Sequence, residues 1–155
     1  MPVRLAWSGY GKAAVRLVKV DRATPRHALH DLTVEVQLQG RFEPAHAAGD
    51  NSEVLPTDTM KNAVYVLARQ GSVTPPEEFA VRLARHFLGA CGAAQRAVIT
   101  VAVHRWEPTG QVFVQGTTER RLATVTVDEN GARHECGLDG LGLLKTTDSA
   151  FSKFL

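Results

Sequence analysis

The strictest constraint in this chain is the run from Leu32 to Leu38, where Leu32, Val34, Val36 and Leu38 alternate with Thr33, Glu35 and Gln37. A period of two sends the aliphatic side chains to one side of an extended strand and the polar ones to the other. One face must therefore be covered while the other can stay wet, which specifies an antiparallel sheet dressed on a single side. Gly11 to Val20, rich in Val and Leu, predicts the partner strand. Asp21 to His30 holds Pro25 and several polar residues and can only connect the two.

Two helices supply the cover. Asp58 or Thr59 can cap one that runs to about Arg69, with Met60, Val64, Leu67 and Ala68 on one face and Gly71 closing it. Thr74, three residues before Glu77, suggests a capping box for a second, with Pro75 in its first turn. Its apolar stripe is Phe79, Leu83 and Phe87 flanked by Ala80, Ala84 and Leu88. Arg82, Arg85 and His86 lie on or near the wet side, and Gly89 or Gly92 ends the helix. Strand character returns over Val98 to His104, Gln111 to Val114 and Leu122 to Val127, and Leu138 to Lys145 suggests one more strand. Hairpin turns fall at Glu107 to Gly110 and at Asp128 to Gly131. The expected class is α+β: an antiparallel sheet with two helices packed on one face, in β-β-α-α-β-β order with added strands.

A chain of 155 residues supports one such domain. A net charge of only +2 does not point to nucleic acid, and the basic residues read as a solvated face. Cys91 and Cys136 are isolated thiols, which suits a reducing compartment. The first residues lack a signal-peptide pattern, and the longest apolar run, Ala97 to Val103, is too short to span a bilayer. A soluble, cytoplasmic protein with neither nucleic-acid nor membrane partner is expected. The six histidines form no HExxH or metal-ligand spacing, so no metal is expected, and Gly-rich phosphate loops are absent. Gly137 to Gly142 reads as a turn between short strands.

From Gly40 to Pro56 periodicity vanishes, and a long loop is expected to enter the first helix at Thr57 and Asp58. Backbone N–H groups at a helix start lack internal partners and can hold an anionic or carbonyl oxygen. Plain capping by Asp58 or Thr59 accounts for the same residues without a ligand, so both readings stand.

The stretch Gly49-Asp50-Asn51-Ser52-Glu53-Val54-Leu55-Pro56-Thr57-Asp58-Thr59-Met60-Lys61-Asn62 resembles the signature of urate oxidases. Ordered matches flank it: Tyr10-Gly11-Lys12 before Val15-Arg16, then Asp31 to Val34, Glu78-Phe79-Ala80, Arg85-His86-Phe87, and Leu144 to Thr147 with Ser149-Ala150-Phe151. The resemblance implies a tunnelling fold, of which the family carries two units in tandem, closed into a barrel by a tetramer. On that basis residues 1–145 form one unit, and 146–155 begin the segment leading to a second unit absent from this chain.

The family oxidises urate with O₂ to 5-hydroxyisourate and hydrogen peroxide without metal or organic cofactor, and implies urate and O₂ as partners. By resemblance, Lys12 and Thr57 match its catalytic Lys–Thr pair, Thr57 and the Asp58 backbone N–H match substrate contacts, and Phe151 matches the ring that stacks on urate. The family's urate-clamping Arg and its later Gln, Asn and His lie beyond Leu155, so the chain is expected to be the N-terminal half, weakly active or inactive alone. A non-catalytic tunnelling-fold assembly or purine-binding module is the alternative. A pterin-type enzyme of the same fold would need a metal cluster, for which the sequence shows no pattern.

Overall fold

The structure, a computed structural model, describes residues 5–147 and 150. Phe151 lies outside them. Five strands form one antiparallel sheet in the order β1-β2-β3-β6-β7: β1 (Ser8–Asp21), β2 (Ala28–Gly40), β3 (Ala94–His104), β6 (Arg120–Asp128) and β7 (Gly131–Asp139). Two long helices, α2 (Thr57–Gln70) and α3 (Pro76–Ala90), follow a short α1 (Glu43–Ala48). A separate hairpin, β4 (Glu107–Thr109) with β5 (Val112–Val114), links β3 to β6.

The alternation in β2 does what its period requires. Leu32, Val34, Val36 and Leu38 are all at most 2% exposed, as are Ile99 and Val101 of β3 and Val125 of β6. Helix α2 lies on β1, while α3 covers β3 and β6. Met60 and Val64 from α2, with Phe79, Leu83 and Phe87 from α3, complete the core. Burying each such large side chain contributes roughly 1.5–3 kcal/mol, so the helices are held to the sheet by area rather than by any single bond.

Several local expectations are corrected. The loop from Gly40 to Pro56 contains α1, started by Pro44 in its first turn and stopped by Gly49, whose φ of 70° is the left-handed geometry glycine tolerates. Neither Asp58 nor Thr59 caps α2; Pro56 occupies that position and no side chain bonds there. The Thr74–Glu77 box does not form, because α3 starts at Pro76 after Pro75, and the Thr74 hydroxyl faces His30 Nδ1 at 3.4 Å.

Gly71 ends α2 in extended backbone, not the left-handed form. Its missing side chain instead makes room for the Arg82 guanidinium, which would meet an added Cβ. Helix α3 runs through Gly89 to Ala90 and is followed by Cys91. Glu107 to Thr109 is strand, so the turn falls at Gly110 and Gln111. The last strand is Gly131–Asp139 rather than Leu138 to Lys145, with Gly140 (φ 73°) ending it. Gly137 is thus inside a strand, and no further strand follows among the described residues.

Strand β1 holds an irregularity that no periodicity revealed. Lys12 pairs with Val36 but Val15 pairs with Val34, so β1 contains one residue more than its partner over this stretch. Such a bulge switches which alternate residues face the core. Ala14 within it has a φ of 57°, a left-handed conformation that costs a non-glycine residue about 1 kcal/mol.

Candidate functional site

Three contacts fix the position of α2 along β1. The Tyr10 hydroxyl meets the backbone of Leu55, just before the helix. The Tyr65 hydroxyl donates to the Arg16 carbonyl at 3.1 Å. Lys19 Nζ donates to the Ala68 and Gly71 carbonyls at 2.9 and 2.7 Å. Residue numbers rise together on the two elements, so helix and strand run in the same sense. The start of α2 therefore lies beside the first half of β1, where Lys12 is.

The two ends of α2 are treated differently. At its C-terminus Lys19 is joined by Arg82, whose guanidinium donates to Leu67 O at 3.1 Å and Ser72 O at 2.8 Å. Arg82, expected near the wet face, is thus a cap supplied by α3. At the N-terminus no side chain bonds the first turn, and the first helical bond runs from Met60 N–H to Pro56 O. The Thr57, Asp58 and Thr59 amides find no acceptor among the described residues, leaving the positive end of the helix dipole open. The Asp58 side chain is exposed and pairs with Lys61 at 3.1 Å, so its carboxylate does not fill the gap.

Lys12 approaches from the strand. Directly opposed residues in an antiparallel pair share a face, and Tyr10, Lys12, Val15 and Leu17 oppose Leu38, Val36, Val34 and Leu32, all buried. Lys12 is thus a cation on the helix-covered face, half-buried, with no hydrogen bond or ion pair to any described residue. Burying an amine without a partner is unfavourable, so this lysine adds nothing evident to the stability of the described fold. Lys12 and Thr57 are brought to the same end of the same helix–strand pair.

Tyr10 joins the two, and the sequence reading missed it. Its hydroxyl donates to Leu55 O at 3.0 Å and accepts from Leu55 N–H at 2.7 Å. The ring stands edge-on to Phe42, centroids 4.7 Å apart. Burial, with Cys91 close by, pushes the Tyr10 phenol up to about 12 against a weaker lowering by Leu55, so it keeps its proton at neutral pH. The only sequence signal available was parity: Tyr10 and Lys12 alternate in one phase and Val15 and Leu17 in the other.

The helix-free face carries charge instead. Arg16 grips Asp31 through two bonds of 2.9 and 2.7 Å, and Trp106 Nε1 donates to Asp31 at 2.8 Å. His104 Nε2 faces the Thr33 hydroxyl at 2.8 Å, and Arg120 pairs with Asp139. These arginines are engaged rather than merely solvated.

Burial pushes the Asp31 carboxyl up, but bonds from Arg16 and Trp106 and the charges of Arg16 and His104 outweigh it, leaving it below the ordinary value. Burial, with Arg16 and Arg120, holds His104 below the usual 6.5 despite Asp31. Both groups bind protons less readily folded than unfolded. Their stabilisation is present at neutral pH; the His104 part is lost as pH falls below about 6.5, the Asp31 part on falling through the carboxylate range. The urea midpoint is expected to fall on acidification, and His104→Gln to remove the upper step. A midpoint that is flat between about pH 7 and 5 would contradict this assignment.

Among the described residues no three His, Cys, Asp or Glu side chains come together as a metal site, and no helix is long and apolar enough to cross a membrane.

Comparison with known proteins gives this geometry a context. The family model for uricase matches residues 8–129. The uricase of Arthrobacter globiformis is 42% identical, with the match covering 98% of this chain and 51% of that protein. The uricase of Aspergillus flavus is 36% identical, covering 94% and 52%. The crystal structure of the Arthrobacter globiformis uricase superposes with a TM-score of 0.84 at 35% identity, covering 98% of this chain and 57% of that one. A uricase from Bacillus fastidious, at 20% identity and a TM-score of 0.78, shares the fold. The chain spans about half the length of these relatives. Its antiparallel sheet with helices on one face is the expected tunnelling fold, and since the matched residues run from β1 through β6, the chain belongs to the uricase family.

Proposed function

We propose that this chain is the N-terminal half of a urate oxidase, and that the open start of α2 beside Lys12 is its share of the active site. The observation that carries the reading is that pairing: three amides and an amine, none with a partner among the described residues, at one end of one helix–strand pair. Amides at a helix start suit the oxygens of an anionic purine, and the Asp58 N–H is the contact proposed for the ring, with Thr57 beside it. Thr57 passes a proton from urate to Lys12, whose amine must enter the step neutral to accept it. The electron-rich urate anion then gives two electrons to O₂, which leaves as hydrogen peroxide, while water supplies the hydroxyl of 5-hydroxyisourate. Phe151 is proposed to stack on the purine face. The reading calls for no metal or organic cofactor.

Residues 1–145 are proposed as one unit, with 146–155 leading towards a second. Both edge strands, β1 and β7, are available for further pairing, which supports a homo-oligomer, a tetramer by family resemblance. Cys91 and Cys136 are both free thiols, in keeping with a cytoplasmic setting.

The chain spans about half the length of its relatives, and by itself it is expected to turn urate over weakly or not at all. Mixed with the second half of the Arthrobacter globiformis uricase, it is expected to consume urate and O₂ and release peroxide in equal amounts. If the chain neither binds urate nor oxidises it in that mixture, the reading fails and a purely structural module is left.

A further inference from the structure

We propose that Tyr10 is a positioning residue for this site, setting the start of α2 against Lys12 through its paired bonds to Leu55. The inference deepens the urate oxidase reading and rests on it for its kinetic arm.

The geometry has a simple logic. Lys12 lies two residues beyond Tyr10 on β1, on the same face, and Thr57 lies two residues beyond Leu55. Two residues of strand advance only about 7 Å, so a tie at Tyr10 and Leu55 leaves little slack between the groups that follow. The tie is double. One hydroxyl satisfies both the N–H and the C=O of Leu55, so residue 55 cannot slide along β1 without losing both bonds, and turning either peptide beside it breaks one. Pro56 then fixes its own φ near −57° and delivers the chain into the helix. Nothing else on β1 holds this entrance among the described residues: the other two ties, at Tyr65 and Lys19, grip the middle and end of α2.

The phenol is well suited to the task. It keeps its proton, so donor and acceptor roles are both available at neutral pH. Its ring is braced edge-on by Phe42, so the hydroxyl is aimed by packing and not left to a flexible stem. Two bonds to one residue, one on each of its flanking peptides, fix direction as well as distance, which proton transfer between Thr57 and Lys12 requires.

The test is Tyr10→Phe, which keeps the ring and its packing and removes only the hydroxyl. In the chain mixed with the second half of the Arthrobacter globiformis uricase, kcat is expected to fall about 10- to 100-fold with KM for urate changing far less. The double variant Tyr10→Phe, Lys12→Met is expected to be no slower than Lys12→Met alone, since Tyr10 acts through the Lys12–Thr57 step. A merely structural role would give independent losses that multiply. Amide hydrogen exchange on the chain by itself supplies the second arm: the Leu55 and Met60 amides, which are bonded at this entrance, are expected to exchange faster in Tyr10→Phe while those of α3 do not. Unchanged kcat, multiplying losses, or unchanged exchange at the helix start each overturns the proposal. If the unaltered mixture shows no urate chemistry, the functional reading falls, and the exchange arm alone decides whether Tyr10 sets the helix start.

Discussion

A Lys12→Met variant is expected to lose urate turnover by about 10²- to 10⁴-fold, the range that a positioned proton acceptor contributes. Its unfolding midpoint is expected to stay level or rise. The two halves of this expectation come from one fact. Lys12 faces the same way as Val36, Val34 and Leu32, yet it makes no hydrogen bond or ion pair with any described residue. Methionine reproduces the length and the apolar stem without the amine, so the fold loses nothing and is spared the desolvation of a cation. An essential structural lysine would show the opposite pattern, with stability and turnover falling together. Turnover within about twofold of the unaltered chain, measured as urate consumed by the complemented mixture, would sink the assignment of Lys12 to proton transfer.

The second large effect is expected one residue earlier. In Gly11→Ala the new Cβ would be driven into the Val36 carbonyl and crowd the backbone of Gln37. These are main-chain atoms of the paired strand, so no side chain can turn aside. The pair must separate locally, and β1 loses its register next to Lys12. Overpacking of this kind costs about 3 kcal/mol, near the top of the usual range, and a urea unfolding series would read it as a lowered midpoint. Glycine at this position is therefore required by close approach of two backbones rather than by a turn. An alanine variant within about 0.5 kcal/mol of the parent would show that the two strands are less tightly apposed than the structure has them.

How much of this was legible in the sequence depended on whether the information was local. The alternation from Leu32 to Leu38 is complete within one strand, and it correctly implied a sheet covered on one side. The stripes in α2 and α3 are equally local, and both helices lie where Met60, Val64, Phe79 and Leu83 required. Strand β7 was misplaced because eight of its nine residues are exposed, leaving no buried face to impose a period. The N-caps of α2 and α3 were misassigned because prolines occupy those positions, whereas the C-terminus of α2 is capped by the distant Lys19 and Arg82, which no local motif shows.

The site divides in the same way. Thr57 and Asp58 could be placed at a helix start from their neighbours alone, where plain capping was the simpler account; the structure shows no side-chain cap. Lys12 came only through resemblance, since nothing near it in sequence distinguishes it from any strand lysine. Tyr10 offered only its parity with Lys12, because its partner Leu55 lies 45 residues away and a phenol bonded to backbone leaves no motif in either segment.

The bulge at Ala13 and Ala14 has a consequence for how this strand can vary. Before it, the inward positions of β1 are Ser8, Tyr10 and Lys12; after it they are Val15 and Leu17. One strand is thereby divided into a chemical segment and a ballast segment, joined where the phase resets. Aliphatic exchanges at residues 15 and 17 can trim or add stability with the outlet at Lys12 undisturbed. Removing one alanine, by contrast, would keep Val15 and Leu17 in the core yet turn Lys12 and Tyr10 to the opposite side of the sheet. A single-residue deletion there would leave a protein short of one alanine, with half of its site inside out.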